Sequence, residues 1–290
     1  MTSANSGFIA GTDNYTTAKT VLLGAPFDST TSGRPGARFG PGAIRAESQG
    51  LETYSPILDR DLEDIAFFDS GDLELPFGDS AAALDIIEAQ TRAVLDDGKL
   101  PFLLGGEHLV TLGAVRAVAE KHPDLHIIHF DAHTDLREDY LGVKLSHACV
   151  IRRCWDILGD GRISQFGIRS GTREEFRWAK AGHTNLHAIG HDCYVEGLDR
   201  LTDELAASRA PVYLTVDIDV LDPSILPGTG TPEAGGIPSF HELLAMLLRV
   251  FRTNLVGCDL VELAPNLDPS GVSSATAAKL VREMLLAAKL

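Results

Sequence analysis

Eight short β-rich runs recur along the chain: TVLLGAP, DIAFFD, LPFLLGG, LHIIHFD, ISQFGIR, NLHAIG, VYLTVDID and LVGCDLVEL. Most are separated by stretches such as DSAAALDIIEAQTRAVLDDG, EHLVTLGAVRAVAEKHP and SFHELLAMLLRVFR, whose apolar residues fall three and four apart. Strand and amphipathic helix in alternation build βαβ units, so the expected class is α/β with a mainly parallel sheet covered by helices on both faces. No internal repeat, low-complexity tract or linker interrupts the pattern. Residues 1–290 are therefore read as one domain, with 1–18 as an N-terminal polar segment, and 44% hydrophobic residues suffice for its core.

Charge and cysteine usage narrow the function. With 25 basic against 41 acidic side chains the formal charge is −16, which argues against nucleic acid and anionic membranes and is compatible with small cationic ligands. Cys149, Cys154, Cys193 and Cys258 form no CxxC pair and suggest neither a disulfide framework nor a zinc knuckle. The polar start lacks the features of a signal peptide and no apolar run is long enough to span a bilayer, so a reducing cytoplasm is expected.

In open α/β sheets ligands gather outside the carboxyl ends of strands, and that is where the polar residues cluster. LHIIHF runs into Asp131, His133 and Asp135, VYLTV into Asp217 and Asp219, and LPFLLGG into His108. A period of two would put Asp131, His133 and Asp135 on one side of extended chain. A lone DxD after a strand is commonly a cap or a solvated turn. Two such motifs behind buried-looking strands, with a histidine behind GG, point instead to metal, because crowded carboxylates in a poorly polarisable interior resist ionising together unless cations neutralise them. Carboxylate and imidazole ligands without a thiolate suit manganese or a similar first-row ion, and four carboxylates suit two ions better than one.

These residues resemble the ureohydrolase family of arginases, agmatinases and guanidinobutyrases. The similarity runs from GAPFDSTTSGRPGARFGPGAIR to GCDLVELAP, and it is strongest in GGEH, FDAHTD and TVDIDVLDPSILPGTGTPEAGG. AHTDLREDYLG and LSHACVIRR make the chain most similar to bacterial and archaeal agmatinase-like members. The resemblance implies a three-layer α/β/α domain around an eight-stranded parallel sheet, two manganese ions, and trimers or hexamers. It implies one ion held by His108, Asp131, Asp135 and Asp217 and a second by Asp131, His133, Asp217 and Asp219, with Asp131 and Asp217 bridging. It also implies that His147 of LSHACVIRR shuttles protons and that Glu262 of DLVELAP pairs with the substrate guanidinium.

Taken alone, Glu262 reads as a strand-end carboxylate meeting solvent or an arginine, and His147 as a loop histidine. His122, His126, His129, His183, His187, His191 and His241 have no ligand-like context, and His126 and His129 read as buried, hydrogen-bonded imidazoles. The Gly/Pro-rich loops at 33–42 and 223–238 are long enough to shape a site near the ligand-bearing sheet end. Gly105 and Gly106 are expected to permit a tight turn as His108 enters its helix. Cys149 and Cys154 read as small buried groups, and Trp155 and Trp178 as packing residues.

The expected reaction is hydrolysis of agmatine to urea and putrescine. Guanidinobutyrate, arginine and aminopropylagmatine are the alternative substrates. In LREDYLGV, Glu138, Asp139 and Tyr140 favour a cationic tail, while Arg137 and nearby Lys144 suit an acidic one. A metal-dependent deacetylase would be expected to carry a tandem histidine pair, which is absent. A non-catalytic manganese store would need neither His147 nor Glu262.

Overall fold

The computed structural model describes residues 7–187 and 191–288, the stretch 191–195 by its backbone alone. The first six residues of the polar segment and the side chains of His191 and Cys193 lie outside the described residues. All eight anticipated runs form strands: β1 (Thr20–Ala25), β4 (Phe67–Asp72), β5 (Leu100–Gly105), β6 (His126–Phe130), β7 (Ile163–Phe166), β8 (Asn185–Leu186), β9 (Pro211–Asp217) and β10 (Asn254–Val261). They make one sheet in the order β4-β1-β5-β10-β9-β6-β7-β8, with every adjacent pair parallel. A two-residue pair, β2 (Tyr54–Ser55) and β3 (Arg60–Asp61), forms a separate antiparallel hairpin that the sequence patterns did not signal.

Alternating residues of each strand serve opposite faces. Leu22, Phe102, Ile128 and Leu214 join one core with helices α1 (Gly40–Ser48), α6 (His191–Ser208), α7 (Phe240–Val250) and α8 (Val272–Ala287). Leu23, Leu103, Ile127 and Tyr213 join the other with α2 (Ser80–Asp96), α3 (Val110–Lys121) and α4 (Val150–Leu158). Short α5 (Arg173–Trp178) adds Trp178 to that second core, and Trp178 meets Trp155 edge to face at 4.8 Å. The result is a three-layer α/β/α fold.

Strand order creates the site. β5 and β6 follow one another along the chain yet stand apart in the sheet, with β10 and β9 between them. β5 and β6 lead to α3 and α4 on one face, whereas β9 and β10 lead to α7 and α8 on the other, which opens a crevice at the carboxyl ends of these strands. His108 follows β5, Asp131 follows β6, Asp217 ends β9 and Glu262 follows β10, so the four central strands deliver their polar residues to that crevice.

The glycines behind β5 work differently from the expectation. Neither Gly105 nor Gly106 has a positive φ, and α3 begins only at Val110, two residues after His108. Gly106 is needed for close approach: a Cβ there would lie 2.0 Å from the Phe27 carbonyl oxygen and 2.6 Å from its nitrogen. The same proximity lets Gly106 N–H donate to Ala25 O at 2.9 Å and Glu107 N–H to Phe27 O at 2.7 Å. The stretch 33–42 is also more regular than expected, since Ala37–Phe39 is a 3-10 turn and α1 starts at Gly40 with a proline in its first turn.

Gly106→Ala should therefore cost at least about 1–3 kcal/mol, because backbone atoms have to move. Gly42→Ala, within α1 and with nothing inside 4 Å of the added carbon, should be neutral or stabilising by up to about 1 kcal/mol. Denaturant midpoints of the two variants would reveal the contrast, and equal midpoints would contradict it.

Candidate metal centre

The strand ends bring the expected residues together, although not by strand periodicity. β6 stops at Phe130, and Asp135 adopts a left-handed backbone with φ of 51°. The chain therefore bends, so that Asp131 and Asp135 face His108 while His133 turns to Asp219. Aspartate tolerates this conformation better than most residues, through its short polar side chain. Glu262 is also left-handed, at φ 66°, a conformation that costs a glutamate about 1–3 kcal/mol and recurs at functional positions. Its N–H donates to Gly106 O at 2.9 Å and its Oε1 accepts the His108 N–H at 2.8 Å, which pins the exits of β10 and β5 together.

His108 carries the clearest sign of a cation site. Its Nδ1 lies 3.1 Å from Asp131 Oδ2, 3.3 Å from Asp135 Oδ2 and 3.4 Å from Asp217 Oδ2. Its Nε2 meets Thr215 Oγ1 at 2.9 Å, but Nδ1 is fully buried and makes no hydrogen bond. Atoms sharing one ion at about 2.1 Å and at right angles sit roughly 3.0 Å apart, so this spacing is that of ligands around a cation. A second group joins it through Asp131: His133 Nδ1 is 3.0 Å from Asp219 Oδ2 and 3.5 Å from Asp131 Oδ1. Asp217 reaches the first group through Oδ2, while its Oδ1 accepts the Asp219 N–H at 2.9 Å. Both groups fit a divalent metal.

Electrostatics gives the same answer. Burial, followed by repulsion from Asp219 and Asp131, pushes the Asp217 carboxyl well above its ordinary value. Burial and Asp131 raise Asp219 likewise. Asp131 goes the other way: burial opposes its ionisation, but His129, His108 and His133 overcome that and hold it well below. Against the pull of burial, Asp131, Asp135 and Asp217 raise His108 well above its usual range, and Asp219 and Asp131 raise His133 to about 12. The chain alone can keep these groups together only by holding protons.

A surrounding shell fixes the ring orientations. Gln165 Nε2 donates to His129 Nδ1 at 3.0 Å, which leaves the His129 Nε2–H for Asp131 Oδ2 at 2.8 Å. His129 is thus the buried, hydrogen-bonded imidazole expected, and its partner is a candidate ligand. His126 bonds Ser164 Oγ at 3.1 Å. Behind Thr215 lies buried Asp259, which accepts hydrogen bonds from Thr111 Oγ1 and Tyr213 OH at 2.8 Å each.

Above the ligands lies a cavity of about 290 Å³ lined by Ser32, His147, Asp135, Asp217, Thr231 and Glu175, among others. A larger hollow, of about 460 Å³, lies near Leu100 and Asn254 at the strands' opposite ends and contains none of these ligands. His147 Nδ1 is 3.4 Å from Glu262 Oε1. Burial opposes its protonation, but Glu262, Asp135 and Glu107 raise it to about 9. The two Gly/Pro-rich loops meet beside this cavity, where Arg34 N–H donates to Gly230 O at 3.2 Å and Thr231 Oγ1 approaches Asp219 Oδ2 at 3.4 Å.

Several residues escaped the sequence patterns. Glu175 is buried at the cavity wall, accepting from Thr134 Oγ1 at 2.7 Å and Leu136 N–H at 3.1 Å. It closes a capping box with Thr172, a signature legible in TREE. Buried Glu107 accepts from Thr30 N–H at 2.8 Å and Thr31 Oγ1 at 3.1 Å, and burial pushes it up to about 7. Glu138 does not line the cavity: it pairs with Lys144 at 3.3 Å and Arg152 at 2.9 Å. Asp139 is absent from the lining too, and caps Gly142 N–H at 2.9 Å. Cys149 and Cys154 are buried as expected.

A three-layer fold whose strand ends hold a carboxylate–imidazole cluster under a small polar cavity has the side chains of a candidate metal centre. Residues 18–287 match the arginase family, and the chain belongs to that family. It is a ureohydrolase, a class that acts on guanidino groups. An agmatinase of Bacillus subtilis is 50% identical over 281 residues, covering 96% of this chain and 95% of that one. A putative agmatinase from Clostridium difficile superposes with a TM-score of 0.87 at 47% identity, covering 94% of this chain and 98% of that one. A guanidinobutyrase of Pseudomonas aeruginosa is 36% identical, covering 91% of this chain and 84% of that protein.

The raised groups set a pH dependence. Asp217, Asp219, His108 and His133 each hold a proton in the folded chain at pH values where the unfolded chain has released it. Their contribution is complete below the unfolded values and lost as pH rises, from about 4 for the carboxylates and about 6.5 for the imidazoles. Asp131 has the opposite sign and is outnumbered. Chelator-treated protein should therefore melt several degrees lower at about pH 8 than at about pH 5, with a flatter profile once a divalent ion is added. A chelated protein whose melting point rises across that range would refute the assignment.

Proposed function

We propose that the protein hydrolyses the guanidinium group of agmatine to urea and putrescine, using two manganese ions. The observation that carries this reading is buried His108 Nδ1, ringed by three carboxylate oxygens without a hydrogen bond, beside the Glu262–His147 pair. His108, Asp131, Asp135 and Asp217 would hold one ion, and Asp131, His133, Asp217 and Asp219 the other. Manganese suits them because the donors are carboxylate and imidazole with no thiolate. When bound, the ions supply a hydroxide nucleophile from water near neutral pH.

The remaining chemistry belongs to the chain. A guanidinium carbon is a weak electrophile because its charge is spread over three nitrogens, so orientation counts. Glu262, 1% exposed and 3.4 Å from the cavity-lining His147, forms a charge-assisted pair with the guanidinium and holds its carbon in line. His147 sits within reach of the same carboxylate and gives a proton to the departing amine. Asp135 and Glu107 add to the field that favours a proton on His147 Nδ1, the nitrogen that faces Glu262.

Similarity to agmatinases at 50% identity supports agmatine as substrate. Guanidinobutyrate is the second reading, favoured by Arg137 in the cavity wall. Arg137 is already engaged, 3.7 Å from Glu175 and 4.8 Å from the centre of the Tyr140 ring, which leaves less of its charge for an acidic tail. We further propose a single catalytic domain working in the cytoplasm as a homo-oligomer, a trimer or hexamer, consistent with the absence of a membrane-spanning helix among the described residues.

Urea release from agmatine, guanidinobutyrate and arginine after manganese loading tests the reading, with agmatine expected to be fastest. No urea from any of the three would end it. Asp131→Ala should lose bound metal by elemental analysis. His147→Ala should keep its metal while kcat drops about 10²–10⁴-fold, and full activity in that variant would remove the shuttle.

A further inference from the structure

His147 is enclosed: 7% of it is exposed, and its Nδ1 faces Glu262. Its other ring nitrogen faces Ser32. The Ser32 backbone N–H donates to Nε2 at 3.0 Å, and Ser32 Oγ lies 2.8 Å from the same atom. A backbone N–H can only donate, so Nε2 bears a lone pair in this arrangement and the ring proton sits on Nδ1, toward the cavity. Ser32 itself is exposed to solvent. One side chain thus touches both the buried imidazole and bulk water.

The two donors at Nε2 are not equivalent. The amide N–H positions the ring but does not surrender its proton. A hydroxyl can pass its proton to Nε2 while its oxygen takes another from water, and it can accept from an Nε2–H in the reverse direction. We propose that the Ser32 hydroxyl is the proton relay between solvent and His147. As Nδ1 gives its proton to the leaving nitrogen, Nε2 takes the Ser32 hydroxyl proton and Ser32 Oγ takes one from solvent, so no charge is left on the serine.

Neighbouring contacts hold the relay in place. Thr30 Oγ1 donates to Glu107 Oε1 and accepts the His147 N–H at 3.0 Å, which ties the Thr30–Ser32 segment to the start of the His147 turn. Asp28 accepts the Gly36 N–H at 2.9 Å and pairs with Arg38, closing the loop that carries Ser32. Gly36 has φ of 147°, and a Cβ there would collide with Asn266 Oδ1, so this closure depends on glycine.

The inference rests on the hydrolytic reading above, and the experiment separates the two. Urea release is followed in wild type, Ser32→Ala and Ser32→Thr, each loaded with manganese and matched for metal content, at rising concentrations of 1,2-dimethylimidazole buffer. Wild type should be insensitive to buffer. In dilute buffer Ser32→Ala should lose about tenfold in kcat, less than the whole proton-transfer contribution, with KM little changed. Its rate should climb back as the buffer replaces the missing hydroxyl, and Ser32→Thr should retain most of the wild-type rate in dilute buffer. A Ser32→Ala rate equal to wild type in dilute buffer, or a loss that buffer does not repair, would overturn the relay while leaving the hydrolysis intact. Failure of wild type to release urea would overturn the underlying reading instead.

Discussion

The structure turns on mutual repulsion among carboxylates that the sheet forces together. Asp131, Asp217 and Asp219 are each at most 3% exposed, and Asp135 completes the group. Their proximity is tolerable because each is matched either by an imidazole or by the space for a cation. The residues behind them make sense in that light. His129 and Gln165 orient Asp131, the Asp219 N–H orients Asp217, and Thr215 orients His108, so each charged group arrives with its remaining polar atoms already occupied. His108 Nδ1 is left without a hydrogen bond, and it is the atom that would bind metal.

Holding such a group requires backbone that ordinary secondary structure does not supply. Asp135 and Glu262 both take left-handed conformations immediately beyond strands or their extensions. The cost is met by the parallel sheet behind them, whose strands are buried on both faces and leave the crevice little freedom to relax. Rigid strands thus present bent ends, and the bends aim the side chains. The cavity wall is made differently, from loops clamped by Asp28, Glu107 and Glu175, each a buried carboxylate satisfied by backbone N–H groups, hydroxyls or an arginine. The candidate metal ligands come from strand exits, while His147, the proposed proton donor, and Glu175 in the cavity wall come from segments outside the strands.

Much of the site could be read from the chain because its residues lie next to strongly patterned strands. His108, Asp131, His133, Asp135, Asp217 and Asp219 follow runs whose apolar character marks them as buried, and a buried strand end leaves few outcomes for several acids. Glu175 left a local trace as the fourth residue of a capping box, but nothing in that motif says that a cavity lies beside it. Ser32 and Glu107 stand within stretches that carry the resemblance, GAPFDSTTSGRPGARFGPGAIR and GGEH, but no local pattern singled out either side chain. Their importance depends on a loop more than seventy residues away in sequence from the strand it packs against, as in the Thr30–Glu107 bond. Glu138, prominent in the sequence as an acid near the site, is instead neutralised by three basic neighbours.

By itself the sequence determined the class of fold, the eight strands and the kind of atoms at their ends, because hydrophobic period and residue chemistry are local properties. It did not determine strand order, and strand order is what opens the crevice by placing β10 and β9 between β5 and β6. Nor did it determine which way each ligand points, since an extended-chain period is broken by the left-handed turn at Asp135. Tertiary structure decided those matters because they depend on contacts between segments far apart along the chain, and packing rather than local preference selects among the conformations each segment could adopt.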